Sequence, residues 1–327
     1  MPDRVLVSGG AGFIGLHLAR ALVDRGDAVT LIDDFSRGPR DRELQELLED
    51  VELVEHDLTQ PLPADRLGGG YDAVFHLAAV VGTRTSAERP QQVLRVNLGT
   101  ALNLLQWIAA EPPGRLFLSS TSEVTDGAAR AGLAEVPVRD DTPLVVLDVA
   151  QPRSSYAISK IACEALFFNL GRDLELPVRI ARYFNVYGPR MGHDHVIPQL
   201  IDRILDRRNP FPVYGAHQAR SFCYVEDAVR ATLSLTALPD ERPILTSVGN
   251  DTEEVVIIDL VSRLFAMTSY EAELEVHEPP AGSPDRRRPD LSRLRQLTGY
   301  EPQVSLEEGL RRTYEWYGAE RRDRLEV

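Results

Sequence analysis

The chain is poor in cysteine, with only Cys163 and Cys223 in 327 residues. Two thiols so far apart cannot build a disulfide framework or a zinc site. A reducing, cytoplasmic setting fits them best. Long apolar runs are missing as well. No stretch approaches the roughly 18 residues that a membrane-spanning helix needs. No leader-like segment is visible, because the first strand-like run already opens at Val5. Positive charge is in deficit: 36 Lys and Arg face 50 Asp and Glu, a net charge of −14. That balance argues against a nucleic-acid or anionic-membrane partner and still allows a local basic pocket for one phosphorylated ligand. The rest of the composition, 43% hydrophobic and 26% charged, is that of an ordinary globular protein. The length suffices for one large α/β unit or two lobes.

What is present is an alternation of strand and helix patterns. RVLVS (4–8) reads as a buried strand, and a glycine cluster joins it to the helical spacing of FIGLHLARALVDRG (13–26). DAVTLIDD (27–34), VELVEHD (51–57), DAVFHLAA (72–79), RLFLSS (115–120) and VRIARYFN (178–185) read as further strands. QQVLRVNLGTALNLLQWIAA (91–110), which stops at a Pro-Pro-Gly, and YAISKIACEALFFNL (156–170) read as helices. Alternation of this kind predicts an α/β fold with a parallel, doubly wound sheet. After about residue 186 prolines break the pattern. Residues 306–318 predict a closing amphipathic helix, and the C-terminal part is expected to form a small lobe with a cleft against the sheet.

GGAGFIG (9–15) contains Gly10, Gly12 and Gly15 in G-x-G-x-x-G spacing, and Gly9, Gly12 and Gly15 in a second spacing. Between a strand and a helix, such a turn lets backbone approach a pyrophosphate and offers helix N–H groups to its charge. Asp33 ends the second strand, where a carboxylate can accept from both adenosine ribose hydroxyls and would repel a 2′-phosphate. That favours NAD over NADP. Asp57 ends the third strand, where an adenine contact and a plain loop acid weigh about equally. Tyr156 and Lys160 lie four apart on one helix face. An ammonium near the phenol is expected to lower its pKa from ~10 and make it a base towards a sugar hydroxyl.

With these motifs the chain resembles the extended short-chain dehydrogenase/reductase family, the NAD-dependent nucleotide-sugar epimerases and dehydratases. The resemblance runs through GGAGFIG, LIDDFSRG (31–38), HDL (56–58), HLAA (76–79), VNLGT (96–100), SSTSEV (119–124), SSYAISK (154–160), ARYFNVYGPR (181–190), VYG (213–215), RSFCYVED (220–227) and RRRPD (286–290). It implies a Rossmann domain over 1–185 with a returning segment at about 218–250. It also implies an interleaved substrate lobe from 186–217 and 251–327, and a homodimer. It implies NAD against Gly9, Gly12, Phe13, Ile14, Gly15, Asp33, Asp57, Leu58, Leu77, Ala78, Ala79, Asn97, Tyr156, Lys160 and Tyr183. A nucleoside diphosphate sugar, taken as a UDP-sugar, would lie against Arg84, Asn185, Arg190, Tyr214, Arg220 and Arg287. Thr121 matches the residue that hydrogen-bonds the sugar O4 beside Tyr156.

The triplet Thr121-Ser122-Glu123 narrows the reaction. Family dehydratases read Thr-Asp-Glu there, and simple 4-epimerases usually lack both acids; Thr-Ser-Glu resembles the UDP-glucuronate decarboxylases. Residues 140–160, with Pro152 and Arg153 before the tyrosine, resemble the decarboxylase loop of bacterial lipid A–aminoarabinose enzymes. Residues 286–310 resemble a decarboxylase C-terminus. The implied chemistry is C4 oxidation, loss of carbon dioxide β to the new ketone, and reduction, with Ser122, Glu123 and Arg220 assisting. Two stretches depart from this pattern. Val124-Thr125-Asp126 replaces the family's Val-Tyr-Gly. VVGTRTSAERP (80–90), with Arg84, is closer to UDP-glucuronate 4-epimerases, so 4-epimerisation is the second reading. An NAD-binding scaffold without turnover is a third, of another class. GHDH (192–195) offers two histidines without a third partner, and no metal is expected. Cys163 reads as core, and for Cys223, in a strand beside Arg220, core outweighs a reactive thiol.

Overall fold

A computed structural model describes residues 2–239, 242–280 and 282–326. The first half runs β1 (Arg4–Ser8), α1 (Phe13–Asp24), β2 (Ala28–Asp33), α2 (Arg42–Leu47), β3 (Glu52–Glu55), α3 (Ala64–Leu67), β4 (Ala73–His76), α4 (Thr83–Glu88), α5 (Pro90–Ala110), β5 (Leu116–Thr121), α6 (Asp126–Arg130), α7 (Ser154–Asp173) and β6 (Val178–Tyr183). There follow β7 (Val186–Tyr187), α8 (Val196–Leu205), β8 (Phe211–Tyr214), β9 (Ala219–Arg220), β10 (Cys223–Tyr224), α9 (Val225–Thr236), β11 (Ile244–Val248), β12 (Val255–Val256), α10 (Ile257–Thr268), β13 (Leu274–His277), β14 (Arg286–Arg287), α11 (Ser292–Thr298) and α12 (Leu306–Glu326).

Seven strands form one sheet in the order β11-β6-β5-β4-β1-β2-β3, and every pair is parallel. Alternation along each strand explains the layers. Val5 and Val7 of β1, with Phe75 of β4 and Phe117 of β5, enter the core under α1 and α9. Leu6, Val74, Leu116 and Leu118 face the opposite way, into the core under α5 and α7. Strands covered on both faces need continuous apolar runs, which is why VLV and LFL read so clearly in the sequence. The strand order reverses between β1 and β4. A crevice at the carboxyl ends of a doubly wound sheet opens at that point.

The smaller lobe is built from short strands: a three-stranded sheet in the order β12-β9-β14 and the pairs β10-β7 and β13-β8. β9 and β14 are parallel, with Arg220 in register with Arg287. Two arginines are thereby brought side by side on the lobe that faces the crevice. The closing helix runs to Glu326, beyond the expected end at 318. No described helix is long and apolar enough to cross a membrane.

Candidate active site

A cavity of about 720 Å³ lies between the carboxyl ends of the sheet and the smaller lobe. Its floor begins at the glycine turn. Gly9 has φ +73°, and a Cβ there would sit 2.6 Å from the Ala78 nitrogen. A Cβ on Gly15 would sit 2.1 Å from the Gly9 carbonyl. Neither position accepts a side chain, so the loop after β4 and the start of α1 pack directly on the turn. The α1 N-terminus has no side-chain cap. Its first-turn N–H groups therefore remain available to an anion at the cavity floor. Asp33 is buried at the end of β2, its carboxylate accepting from Ala11 N at 3.0 Å and Phe35 N at 2.9 Å. Burial raises its pKa against the effect of these bonds. The residues present thus fit a dinucleotide: a cradle that only glycine allows, free helix N–H groups, and a carboxylate at the ribose end.

β5 ends at Thr121 and turns at once into a 3₁₀ turn, Ser122–Thr125. Thr121 caps that turn, its hydroxyl accepting from Glu123 N at 3.3 Å. Thr125 holds it from the other side, donating to the Ser122 carbonyl at 2.8 Å. This is why a run of hydroxyl residues precedes the glutamate: they replace the ladder bonds lost at the strand end. Glu123 is thereby directed into the cavity. No described residue hydrogen-bonds its carboxylate, and burial raises its pKa; Asp126 adds to the rise, while Arg287 and Arg153 oppose it.

α7 brings Tyr156 and Lys160 to the same wall. Lys160 is buried and donates to the Ser119 carbonyl at 2.8 Å, which fixes the helix to β5. Burial lowers its pKa. The expected lowering of the Tyr156 phenol is reversed. Burial and the negative charge of Glu123 push it up, with Thr121 and Arg37 acting in the other direction. Desolvation of the phenol outweighs its basic neighbours. A buried ion pair lies behind the wall. Arg182 grips Glu164 with two bonds of 2.9 and 2.7 Å, and Ser120 donates to the same carboxylate at 2.6 Å. Glu164 stands one turn beyond Lys160, so this triad sets α7 against β5 and β6.

Every expected cofactor residue except Asn97 lines the cavity, and so does every expected substrate residue except Arg84. Asn97 is buried behind it. Its amide binds Val80 N at 2.7 Å, Val80 O at 3.1 Å and Ser159 Oγ at 3.0 Å, so it shapes the loop after β4 rather than touching a ligand. Arg84 is 72% exposed on α4 and paired with Glu88. Arg190 reaches the cavity wall, yet its donors are taken: Asp41 twice, and the carbonyls of Ala11, Gly12 and Pro39. It is a clamp on the glycine turn with none of its five N–H groups left for a phosphate. Tyr183 lines the wall with its hydroxyl turned to Thr232 Oγ1 at 2.5 Å. Asn185 lines it at φ +42°, donating to the Ser221 carbonyl. Tyr214 is stacked on His277 at the rim. Cys223 is buried and its thiol is pushed up in pKa by burial, which removes it as a reactive group. Among the described residues no cluster of metal ligands occurs.

Arg37, Arg153 and His195 also line the cavity and were not singled out as site residues. Arg37 donates to the Val81 carbonyl across the mouth. Its place in LIDDFSRG, just after the ribose acid, was the available signal. Arg220 is held by the carbonyls of Ala219 and Asp285 and by Gln218 and Ser283. Burial, then the neighbouring Arg287, bring its pKa down to about 10. Arg153, Arg220 and Arg287 together give an acidic protein a basic cavity roof.

A model of the NAD dependent epimerase/dehydratase family matches residues 5–248. The chain belongs to that family. It is 34% identical to a UDP-N-acetyl-alpha-D-glucosaminuronate decarboxylase of Bacillus cytotoxicus, over 97% of this chain and 98% of the relative. It is 31% identical to UDP-glucuronic acid decarboxylase 1 of Danio rerio, over 97% of this chain and 73% of that one. Among solved structures it is similar to the UDP-glucuronic acid 4-epimerase of Bacillus cereus, solved with UDP-glucuronic acid and NAD. The TM-score is 0.85 and the identity 28%, over 97% of this chain and 99% of the other. The family is that of NAD-dependent enzymes, and the cavity accordingly belongs to a cofactor and a substrate together.

Proposed function

We propose that the protein is an NAD-dependent enzyme that removes the C6 carboxyl group of a UDP-uronate, through transient oxidation at C4. The observation that carries this reading is Glu123. Its carboxylate projects into the cavity immediately after Thr121 and Ser122, opposite Tyr156 and under the guanidinium groups of Arg153 and Arg287. Likeness to decarboxylases of two UDP-uronates supports it.

NAD, held in this cradle, would supply a hydride acceptor for C4 and the donor for its later reduction. The chain's own residues do the rest. Gly9, Gly12, Gly15 and Asp33 hold the cofactor, and Lys160 stands fixed at the wall beside it. Tyr156 stands as the proton acceptor for the 4-hydroxyl, a role that requires the positive charges of oxidised NAD and Lys160 to offset the burial that pushes its phenol up, with Thr121 hydrogen-bonding O4. The resulting 4-ketone is β to the C6 carboxylate, so the C5–C6 bond breaks with its electrons entering an enolate. The hydroxyls of Thr121 and Tyr156 stabilise the developing oxyanion. Glu123 orients water or substrate for proton delivery to C5. Arg220 and Arg287 take the diphosphate or the uronate carboxylate, for which arginine forks are suited.

The second reading is 4-epimerisation, favoured by the fold's likeness to the Bacillus cereus epimerase. Incubation with NAD and either UDP-glucuronate or UDP-N-acetylglucosaminuronate, labelled with carbon-13 at C6, separates the two. Release of labelled carbon dioxide with a UDP-pentose or 4-keto pentose is expected. Retention of the label with inversion at C4 would replace decarboxylation by epimerisation. A cytoplasmic homodimer through the outer faces of α5 and α7 completes the proposal; Leu102 of α5, 52% exposed, lies on one of them.

A further inference from the structure

Asp126 is where the chain departs from its family's Val-Tyr-Gly, and the structure gives that departure a role. Asp126 opens α6, three residues after Glu123, at the end of the same 3₁₀ turn. It does not line the cavity. Its Oδ2 lies 2.5 Å from Nη2 of Arg287, which comes from β14 of the other lobe. Both side chains are largely buried. Arg287 thus has two carboxylates within its field and hydrogen-bonds one of them. Its Nε is buried and finds no acceptor among the described residues. The guanidinium is committed at one end and open at the other.

We propose that Asp126 is a positioning residue that acts as a decoy anion: it holds Arg287 so that Arg287 does not close on Glu123. The physical ground is competition between two anions for one cation. A carboxylate gripped by a guanidinium is fixed in orientation and held ionised. Such a Glu123 would no longer serve a substrate in the cavity. With Asp126 in place, the grip falls on a residue outside the cavity, and the Glu123 carboxylate stays free of hydrogen bonds from the described residues. The groups that face Glu123 are Arg287 from β14, Asp126 from α6, Arg153 from the segment before α7, and Tyr156 from α7 itself. Arg220 stands beside Arg287 across the strand pair and donates to no carboxylate. Asp126 is therefore the one described acid that bonds this pair of arginines.

The inference rests on the reading that Glu123 works on the substrate, and the test separates the two. In protein labelled with carbon-13 at glutamate carboxyls, the Glu123 signal is assigned by its loss in Glu123→Gln and titrated without any substrate. In Asp126→Asn its midpoint falls by about one pH unit or more, and by clearly less when the same change is made in Arg287→Met, because loss of the Asp126 charge lowers Glu123 in both backgrounds whereas new pairing needs the arginine; equal falls in the two backgrounds overturn the proposal. Asp126→Asn alone loses about tenfold in kcat on the UDP-uronate that the wild type uses, with KM changed less than threefold. Asp126→Glu restores both readouts. Adding Arg287→Met to Asp126→Asn returns the midpoint upward and recovers kcat to that of Arg287→Met alone, while KM stays raised. An unmoved midpoint in Asp126→Asn overturns the proposal, even if kcat falls, because Asp126 is then only a structural partner. A wild type that turns over no UDP-uronate sinks the functional reading and leaves the titration to judge this one.

Discussion

Replacing Arg182 by leucine tests how the catalytic helix is held. Arg182 and Glu164 are 5% and 4% exposed, joined by two bonds, with Ser120 completing the carboxylate and the Asp140 carbonyl accepting a further arginine proton. Removing the arginine leaves a buried carboxylate with one hydroxyl partner. Breaking a buried pair from one side costs about 3–5 kcal/mol. At roughly 2 °C per kcal/mol, the low end that suits a chain of this length, the melting temperature should fall by about 6–10 °C. The pair itself is a different matter. Replacing both members by apolar residues removes the desolvation cost with the attraction, so Arg182→Leu with Glu164→Leu should cost ~2 kcal/mol or less. The assay is thermal denaturation of the two single variants and the double variant, followed as a cycle. A single variant that loses under ~1 kcal/mol would refute the argument, as would a double variant whose loss equals the sum of the singles. Activity should follow stability only in part. Ser120 adjoins Thr121, and kcat should fall about tenfold in Arg182→Leu well below its melting temperature, because α7 loses its seat on β5.

Four further outcomes follow from the site. Tyr156→Phe should lower kcat by about 10²–10⁴ while the melting temperature holds, since a general acid–base group is lost without a cavity. Gly15→Ala should abolish NAD retention, measured by fluorescence of the released cofactor, because its Cβ would meet the Gly9 carbonyl at 2.1 Å. Glu123→Gln should raise the melting temperature at neutral pH and not near pH 4. The carboxyl's folded pKa lies above its ordinary value of 4.5, so its contribution is present below that value and is lost as pH rises through the folded one. Equal gains at all pH values would contradict the burial argument. Arg84→Ala should leave KM for the nucleotide sugar within about twofold, since its ion pair with Glu88 is screened by water and the side chain is outside the cavity.

The sheet was legible because strands covered on both faces must be apolar at their centres, and β1 (VLV), β4 (AVF) and β5 (LFL) are. The glycine turn, Asp33, Thr121, Glu123, Tyr156 and Lys160, each marked by a short local motif, all line the one cavity. Two further candidates have long-range partners that no local motif marks. Asn97 and Arg190 find their partners 17 residues and about 150 to 180 residues away, and no local spacing tells that those acceptors saturate them. The direction of the Tyr156 shift was missed for the same reason. A four-residue spacing places Lys160 on the right helix face, but the burial that dominates is a property of the assembled wall. The role of Asp126 could not be read either, because its partner Arg287 is 161 residues further on.

Arg190 carries a consequence for ligand linkage. It sits in the left-handed region at φ +66°, a conformation that costs an ordinary residue about 1–2 kcal/mol and persists only when over-determined by its surroundings. Five hydrogen bonds over-determine it: two tie the entrance of the smaller lobe to the glycine turn at Ala11 and Gly12, and three tie it to Pro39 and Asp41. The position of that lobe and the shape of the dinucleotide cradle are therefore one equilibrium, not two. If seating the cofactor favours the sugar's binding in the lobe, then by reciprocity a bound nucleotide sugar raises the cofactor's affinity by the same coupling free energy.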